Sequence, residues 1–493
     1  MANLPHASRR AALLASAAGM VIAGTSWDAI AQNVTYTNST AIPAQPTTVF
    51  PLLNGDTLIN NATGSISILS TATGFQPVVS TTTLGVGLIQ NAGTIASAQN
   101  PGGIAIGVNT LSSLSTINNQ ATGTIAANGT NGTAIQVLGS VTSLLNSGFV
   151  SATGAGGIGG SVGTAGTIGT LTNNAGGTIA STGSAGLAIA NAGTISTLSN
   201  SGLIQASGMV ALNVDGGGGI GLLTNTSTGT IAANSASASG IAIGTTGTGT
   251  VATLSNAGLI QATGTNGGGI YIAVNGSVGV LTNAASGTIS GNFSGASLYG
   301  AVGTMTNSGL IQATGTAGAG IYIDTSGTRF GSIVNLSGGT IVATADHGMG
   351  IGNAGTIGTL SNSGLIQANG SYGTGIGIGG NGTIGLLTNT ATGSIVANGT
   401  DGIGISVGEF STGRAGTLSN SGLVQATGTY GLGILVGTSG SVGTLINNAG
   451  GTIAADDAAI SNLGTIGTVT NSGLVQGVTA GVMVRDVGTI SVC

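Results

Sequence analysis

Leu198-Ser199-Asn200-Ser201-Gly202-Leu203-Ile204-Gln205-Ala206 decides the fold of this chain, because the chain repeats it. The stretch returns nearly unchanged at 254–262, 305–313, 360–368 and 418–426. A longer relative, Leu171-Thr172-Asn173-Asn174-Ala175-Gly176-Gly177-Thr178-Ile179-Ala180, recurs in variant form at 223–232, 281–290 and 445–454. The two types alternate, and both carry one asparagine. These are Asn60, Asn91, Asn119, Asn146, Asn173, Asn200, Asn225, Asn256, Asn283, Asn307, Asn335, Asn362, Asn389, Asn420, Asn447 and Asn471. The sixteen copies recur about every 27 residues, with steps of 24 to 31, so the motif is fixed while the spacers vary.

Side-chain parity says what the motif is. Leu198, Asn200, Gly202, Ile204 and Ala206 occupy every second position, and alternation of that kind is the signature of a strand with one buried face. Leu171, Asn173, Ala175, Gly177 and Ile179 do the same in the longer unit. The two units differ by two residues, an insertion that leaves each side chain on its own face. Two further strand-like pieces lie between copies, one like Gly269-Ile270-Tyr271-Ile272 and one like Gly276-Ser277-Val278-Gly279-Val280-Leu281. A helix would need an apolar stripe at i, i+3, i+4 and few glycines, and the repeat has neither. Three short strands per period, separated by Gly-rich corners, predict an all-β chain: a single long right-handed parallel β-helix of about 16 three-strand coils, about 27 residues each. At about 4.8 Å per coil such a rod is roughly 75 Å long. All six prolines fall at or before Pro101, which leaves the rest of the chain free for continuous strand pairing. Two readings of the repeated asparagine are open. It forms an inward ladder, each amide bonding the amide of the next coil, or it sits at a corner in the left-handed region. Its inward parity favours the ladder, and both readings are structural.

Composition agrees with a solenoid and excludes several function classes. Of 493 residues 97 are Gly and only 3% are charged, yet 41% are hydrophobic, too many for a disordered Gly-rich tail. There is no Lys and no basic patch, so nucleic acid is not an expected partner. The single cysteine, Cys493, cannot form an internal disulfide. Residues 1–31 read differently from the rest. Arg9 and Arg10 precede the apolar run Ala11–Gly24, which is too short to span a bilayer, and Ala29 and Ala31 form an A-x-A-like cleavage site. This is an export signal of twin-arginine-like or general secretory type; the alternative is a buried N-terminal helix. Residues 32–54, with Pro43, Pro46 and Pro51, read as an extension or cap, and 55–493 as the repeat domain. The register of Ile490 places the next apolar position at Cys493, so the sequence is expected to stop at the start of a further coil.

The L-x-N-x-G-x-I pattern, with Gly-Ile-x-Ile and Gly-Thr-Ile-Gly-Thr-Leu between copies, resembles the passenger repeats of bacterial autotransporters over about residues 55–493. The resemblance implies export through the periplasm to the cell surface, outer membrane or medium, and mostly adhesive roles. Members of that family end in a membrane β-barrel, which this sequence lacks, so a barrel is expected in cis or in trans.

Chemistry-bearing residues are sparse. His347 beside Asp346 admits a Ser-His-Asp arrangement only in principle, and no G-x-S-x-G elbow accompanies it. Asp456 and Asp457 are adjacent, so on a strand they face opposite ways, poor geometry for a glycosidase pair. Arg329, Arg414 and Arg485 are scattered, and there is no Cys/His cluster, so no cofactor or metal is implied. Tyr271 and Tyr322, the x residues of two Ile-x-Ile strands two coils apart, are candidate surface contacts for a sugar or a protein; the plainer reading is incidental surface tyrosine. The sequence therefore reads as a secreted or surface-displayed, non-catalytic adhesive rod, with a host or cell-surface glycan or protein as partner and self-association through exposed coil ends. The alternatives are a β-helix polysaccharide-binding or polysaccharide-degrading enzyme, and an ice- or crystal-surface binding protein, although no clean double Thr row is visible.

Overall fold

The repeat closes into a parallel β-solenoid. A computed structural model describes residues 34–41, 50–68, 77–81, 85–324, 329–409, 411–484 and 489–490. The export signal with Ala29 and Ala31, Arg485 and Cys493 lie outside the described residues. No helix occurs among the described residues, and their strands form three parallel sheets of 18, 16 and 17 strands. One coil contributes Thr194–Asn200 to the first sheet, Leu203–Ala206 to the second and Val210–Val214 to the third. The next coil stacks on it like on like: Leu198 on Leu223, Asn200 on Asn225, Ile204 on Ile231, Leu212 on Ile241.

The strand boundary falls inside the nine-residue motif. Leu198-Ser199-Asn200 ends a first-sheet strand, Ser201 and Gly202 turn the corner, and Leu203 opens the second sheet. Inward parity survives the corner, so the motif reads as one strand although it is two. Glycine is required there: a Cβ on Gly202 would meet the Gly177 carbonyl oxygen at 2.2 Å and that of Asn174 at 2.4 Å. In the longer unit Ala175, expected inward, is exposed. The two extra residues form a turn closed by Gly177 N donating to Asn174 O at 2.9 Å, with Gly176 at φ +84°. Gly177 then takes the place of Gly202, and Ile179 stacks on Ile204. The cap expected over 32–54 is in part the first coil itself: Thr35–Asn38 pairs with Thr57–Asn60, and Phe50–Leu52 with Val79–Thr81. Asn38 lacks the flanking Leu and Gly of the motif, which is why the sequence does not mark it.

Apart from the asparagines, the interior is a largely apolar column. Ile195, Leu198, Ile204, Ala206, Ala211, Leu212 and Val214 of one coil are all fully buried, and the pattern repeats along the rod. In the third sheet two consecutive residues, such as Ala211 and Leu212, both enter the core. Val78 holds the first of these places in the strand Pro77–Thr81, and further along the stack it is small, as at Ala188, Ala211, Gly240, Gly269, Gly295 and Gly320. A Cβ on Gly320 would lie 2.7 Å from the Gly350 carbonyl oxygen and 2.8 Å from Ile341 Cγ2. This contact with the second sheet explains the Gly of Gly-Ile-x-Ile.

The repeated asparagines stand in one buried row at the corner between the first and second sheets. Asn225 Nδ2 donates to Asn256 Oδ1 at 2.8 Å, and Asn256 Nδ2 to Asn283 Oδ1 at 2.8 Å. The row runs from Asn38, bonded to Asn60 at 2.8 Å, to Asn447, bonded to Asn471 at 2.8 Å. Each amide also uses its donors on backbone; Asn256 Nδ2 reaches Gly258 O at 3.1 Å and Thr288 O of the next coil at 3.2 Å. An amide suits the row, because each rung both accepts from one coil and donates to the next while its second N–H serves a backbone carbonyl. Asn256→Leu therefore leaves an unmatched acceptor on Asn283, while Asn225 Nδ2 keeps Gly229 O and Leu259 O, and we expect a loss of about 1–3 kcal/mol by denaturant unfolding. Asn256→Asp is the sharper test. An ionised carboxylate cannot donate to Asn283 Oδ1, so its folded pKa is raised and its penalty is full at neutral pH. The penalty shrinks as pH falls through that raised value towards the unfolded value of about 4, below which the acid form supplies the donor and no further change is expected. A penalty independent of pH would show that the row does not depend on donation.

Candidate functional site

In each third-sheet strand the residue between the last two inward positions points out of the rod. Tyr271 and Tyr322 hold this place in two coils, and Ser297 of the intervening coil lies between them in register. The sequence thus places the two tyrosines correctly in one column, two coils apart. It does not mark Phe293 and Tyr299, which complete the cluster from corners rather than strands. The Tyr299 ring lies between the other two, with its centroid 5.4 Å from that of Tyr271 and 6.0 Å from that of Tyr322. Phe293 meets Tyr322 edge-on at 6.1 Å. Such tilted and edge-on contacts suit aromatic quadrupoles and fix the rings against one another.

On one side of the cluster lies a groove of about 300 Å³. Tyr271, Phe293 and Tyr299 form its aromatic wall, and Ser237, Ser239, Asn266 and Ser297 its polar lining. Burial pushes the Tyr299 hydroxyl up to about 12, helped by the neighbouring Tyr322, Asp324 and Tyr271. Burial likewise raises Tyr322, with Asp324 adding its charge and accepting a 3.3 Å hydrogen bond from the Tyr322 hydroxyl. Both phenols therefore keep their protons, and with them their donor capacity, across neutral pH.

The acids read from the sequence are occupied in holding corners. Asp346 Oδ1 accepts from Ser371 N at 2.8 Å, and Asp456 Oδ2 from Tyr430 N at 3.2 Å. His347 is exposed, at φ +56°, with its ring stacked on that of Tyr372, 4.9 Å apart and 5° from parallel. It belongs to a column of left-handed corner residues that includes Tyr372, Asp401 and Tyr430. Their N–H groups continue the bonding between coils, as His347 N does to Ser371 O at 2.8 Å and Tyr372 N to Thr400 O at 2.8 Å. Among the described residues no group of three or more His, Cys, Asp and Glu could hold a metal ion. The outer face of the first sheet carries paired hydroxyls such as Thr197 and Ser199, but exposed Leu222, Val280 and Leu386 interrupt the column.

Asp215 accepts five hydrogen bonds. Its Oδ2 accepts from the Thr245 hydroxyl, from Thr246 N at 2.9 Å and from the Thr246 hydroxyl at 2.8 Å; its Oδ1 accepts from Gly247 N at 2.6 Å and Gly216 N at 2.8 Å. Burial alone would raise its pKa, but the hydrogen bonds from Thr245, Gly247 and Thr246 outweigh it and bring it from 3.8 to about 2. A depressed carboxylate contributes stability that is complete above its unfolded pKa and is lost as pH falls through its folded one. Wild-type stability should therefore fall between about pH 4 and about pH 2, and Asp215→Asn should flatten that part of the curve in chemical unfolding. Equal slopes in the two proteins would refute this role.

No protein-family model and no curated protein sequence matches the chain, so the reading of its surface rests on the geometry above.

Proposed function

We propose that the chain is an exported, non-catalytic rod of autotransporter-passenger type that acts at the cell surface or in the medium as an adhesive scaffold. One observation carries this reading: the interior repeats in every coil, while the outward positions of the third sheet and of its corners vary. The core apolar residues, the asparagine row and the corner glycines recur coil after coil, whereas outward positions change from Tyr271 to Ser297 to Tyr322, or from His347 to Tyr372 to Asp401. A constant frame with variable outward side chains suits presentation of a surface. The export signal read over 1–31 supports passage through the periplasm. The partner in this reading is a host or cell-surface glycan or protein, and a membrane β-barrel in cis or in trans provides outer-membrane passage. Self-association through coil ends belongs to the same reading.

The polysaccharide-degrading alternative is less well supported, since Asp215, Asp346 and Asp456 each accept hydrogen bonds from backbone N–H groups. In the producing cells, surface labelling with antibody and protease shaving should reach the rod, and the mature chain should begin at Gln32. A chain retained in the cytoplasm with residues 1–31 attached would overturn the proposal. So would release of new reducing ends from polysaccharides by the purified rod.

A further inference from the structure

The aromatic cluster stands on a coil that departs from its neighbours in three ways. The step from Asn283 to Asn307 is 24 residues, against 27 before it and 28 after it. Its corner between the second and third sheets holds only Asn292 and Phe293, where the flanking coils use the longer stretches 263–267 and 314–318. Its corner back to the first sheet holds only Tyr299 and Gly300. Both corners are trimmed, and each carries an aromatic ring. Thirteen aromatic residues serve the whole chain, and four of them, Tyr271, Phe293, Tyr299 and Tyr322, meet here.

A second observation is independent of the rings. The residue that opens each third-sheet strand lies over its outer face, and in many coils it is large, as at Ile158, Leu187, Met349, Ile403 and Leu432, although near the C-terminal end it is Ala458 and then Ala480. It is small in four successive coils, at Ser239 and Gly268, which line the groove, and at Ser294 and Ala319 beyond it. Packing does not demand this. A Cβ on Gly268 would meet nothing nearer than Ser294 Oγ at 3.4 Å, ordinary contact, unlike the corner glycines. Here four small opening residues in succession stand beside the aromatic wall.

We propose that this groove is a carbohydrate site that takes an uncharged oligosaccharide, with pyranose faces against Tyr271 and Tyr299 and sugar hydroxyls against Ser237, Ser239, Asn266 and Ser297. A pyranose has an apolar C–H face and a rim of hydroxyls, the same division that the groove presents. Its volume falls at the small end of small-molecule pockets. No basic side chain lines it, and Asp324 stands at the Tyr322 end of the cluster, so an anionic sugar has no attraction there. An extended peptide fits less well: the strands beneath are paired on both sides, so no sheet edge is open to its main chain. The proposal supplies the ligand class that the adhesive reading leaves blank and rests on that reading only for its setting.

The test uses the purified full chain with cello-, chito-, xylo- and laminari-oligosaccharides as neutral probes and oligogalacturonate as the anionic one, read by calorimetry. At least one neutral probe should bind at millimolar affinity or better. Gly268→Leu, which fills the groove with a side chain that other coils already carry at this register, should weaken it by at least about ten-fold, as should Tyr299→Ala. Tyr430→Ser, on a distant corner, should leave it unchanged. Thermal unfolding of Gly268→Leu close to wild type separates a blocked groove from a damaged fold. The proposal is overturned if no neutral probe binds, if oligogalacturonate is preferred, if all variants bind alike, or if the only ligand found is a protein. Absence of glycan binding in a chain that is nevertheless surface-exposed sinks this site and leaves the surface reading standing.

Discussion

The row of buried asparagines is the interaction on which the rest of the rod depends. An amide that accepts from the coil before and donates to the coil after allows one register only, since a one-residue slip would turn it outward and bury an apolar contact against water. Hydrophobic burial supplies most of the driving force for stacking but does not choose among registers: Ile on Leu is nearly as good as Ile on Ile. The amide row chooses, because an unmatched donor inside the core costs about 1–3 kcal/mol. Asn200 over Asn225 therefore also sets Leu198 over Leu223, and through the adjoining corner Ile204 over Ile231.

Fixing the register in this way frees the corners. Once the asparagine, the glycine two or four residues later and the next Ile are in place, what lies between coils can lengthen or shorten without disturbing the stack. The turn at Ala175 and Gly176, the left-handed corner at His347 and the clasp of Asp215 on Thr245–Gly247 are three uses of that freedom. His347 N bonds the next coil and Thr246 N and Gly247 N bond the Asp215 of the coil before, whereas the Ala175–Gly176 turn closes on itself through Gly177 N and Asn174 O. The same freedom produces the aromatic groove, where two corners contract and rings take the space. A site built by shortening corners on a constant frame needs no change in the core, and the inward residues Leu281, Ile289, Ala296 and Leu298 of that coil are as fully buried as those of its neighbours.

Much of this was legible in the sequence, for a physical reason. In a solenoid each residue meets its own counterpart one turn away, so contacts that are distant in a globular chain appear here as repetition. The period, the three strands per coil, the inward parity of Leu198, Asn200 and Ile204 and the column shared by Tyr271 and Tyr322 all follow from that self-similarity. What repetition cannot reveal is whatever departs from it. Asn38 lacks the motif around it, Ala175 leaves the alternation because a turn needs two residues, and the break within the nine-residue motif is invisible because parity passes through the corner unchanged. The meeting of Phe293 and Tyr299 with the two strand tyrosines was decided only by the tertiary structure. Both are corner residues of a short coil, and where a corner side chain points is set by the backbone path of that corner and by the coils above and below it.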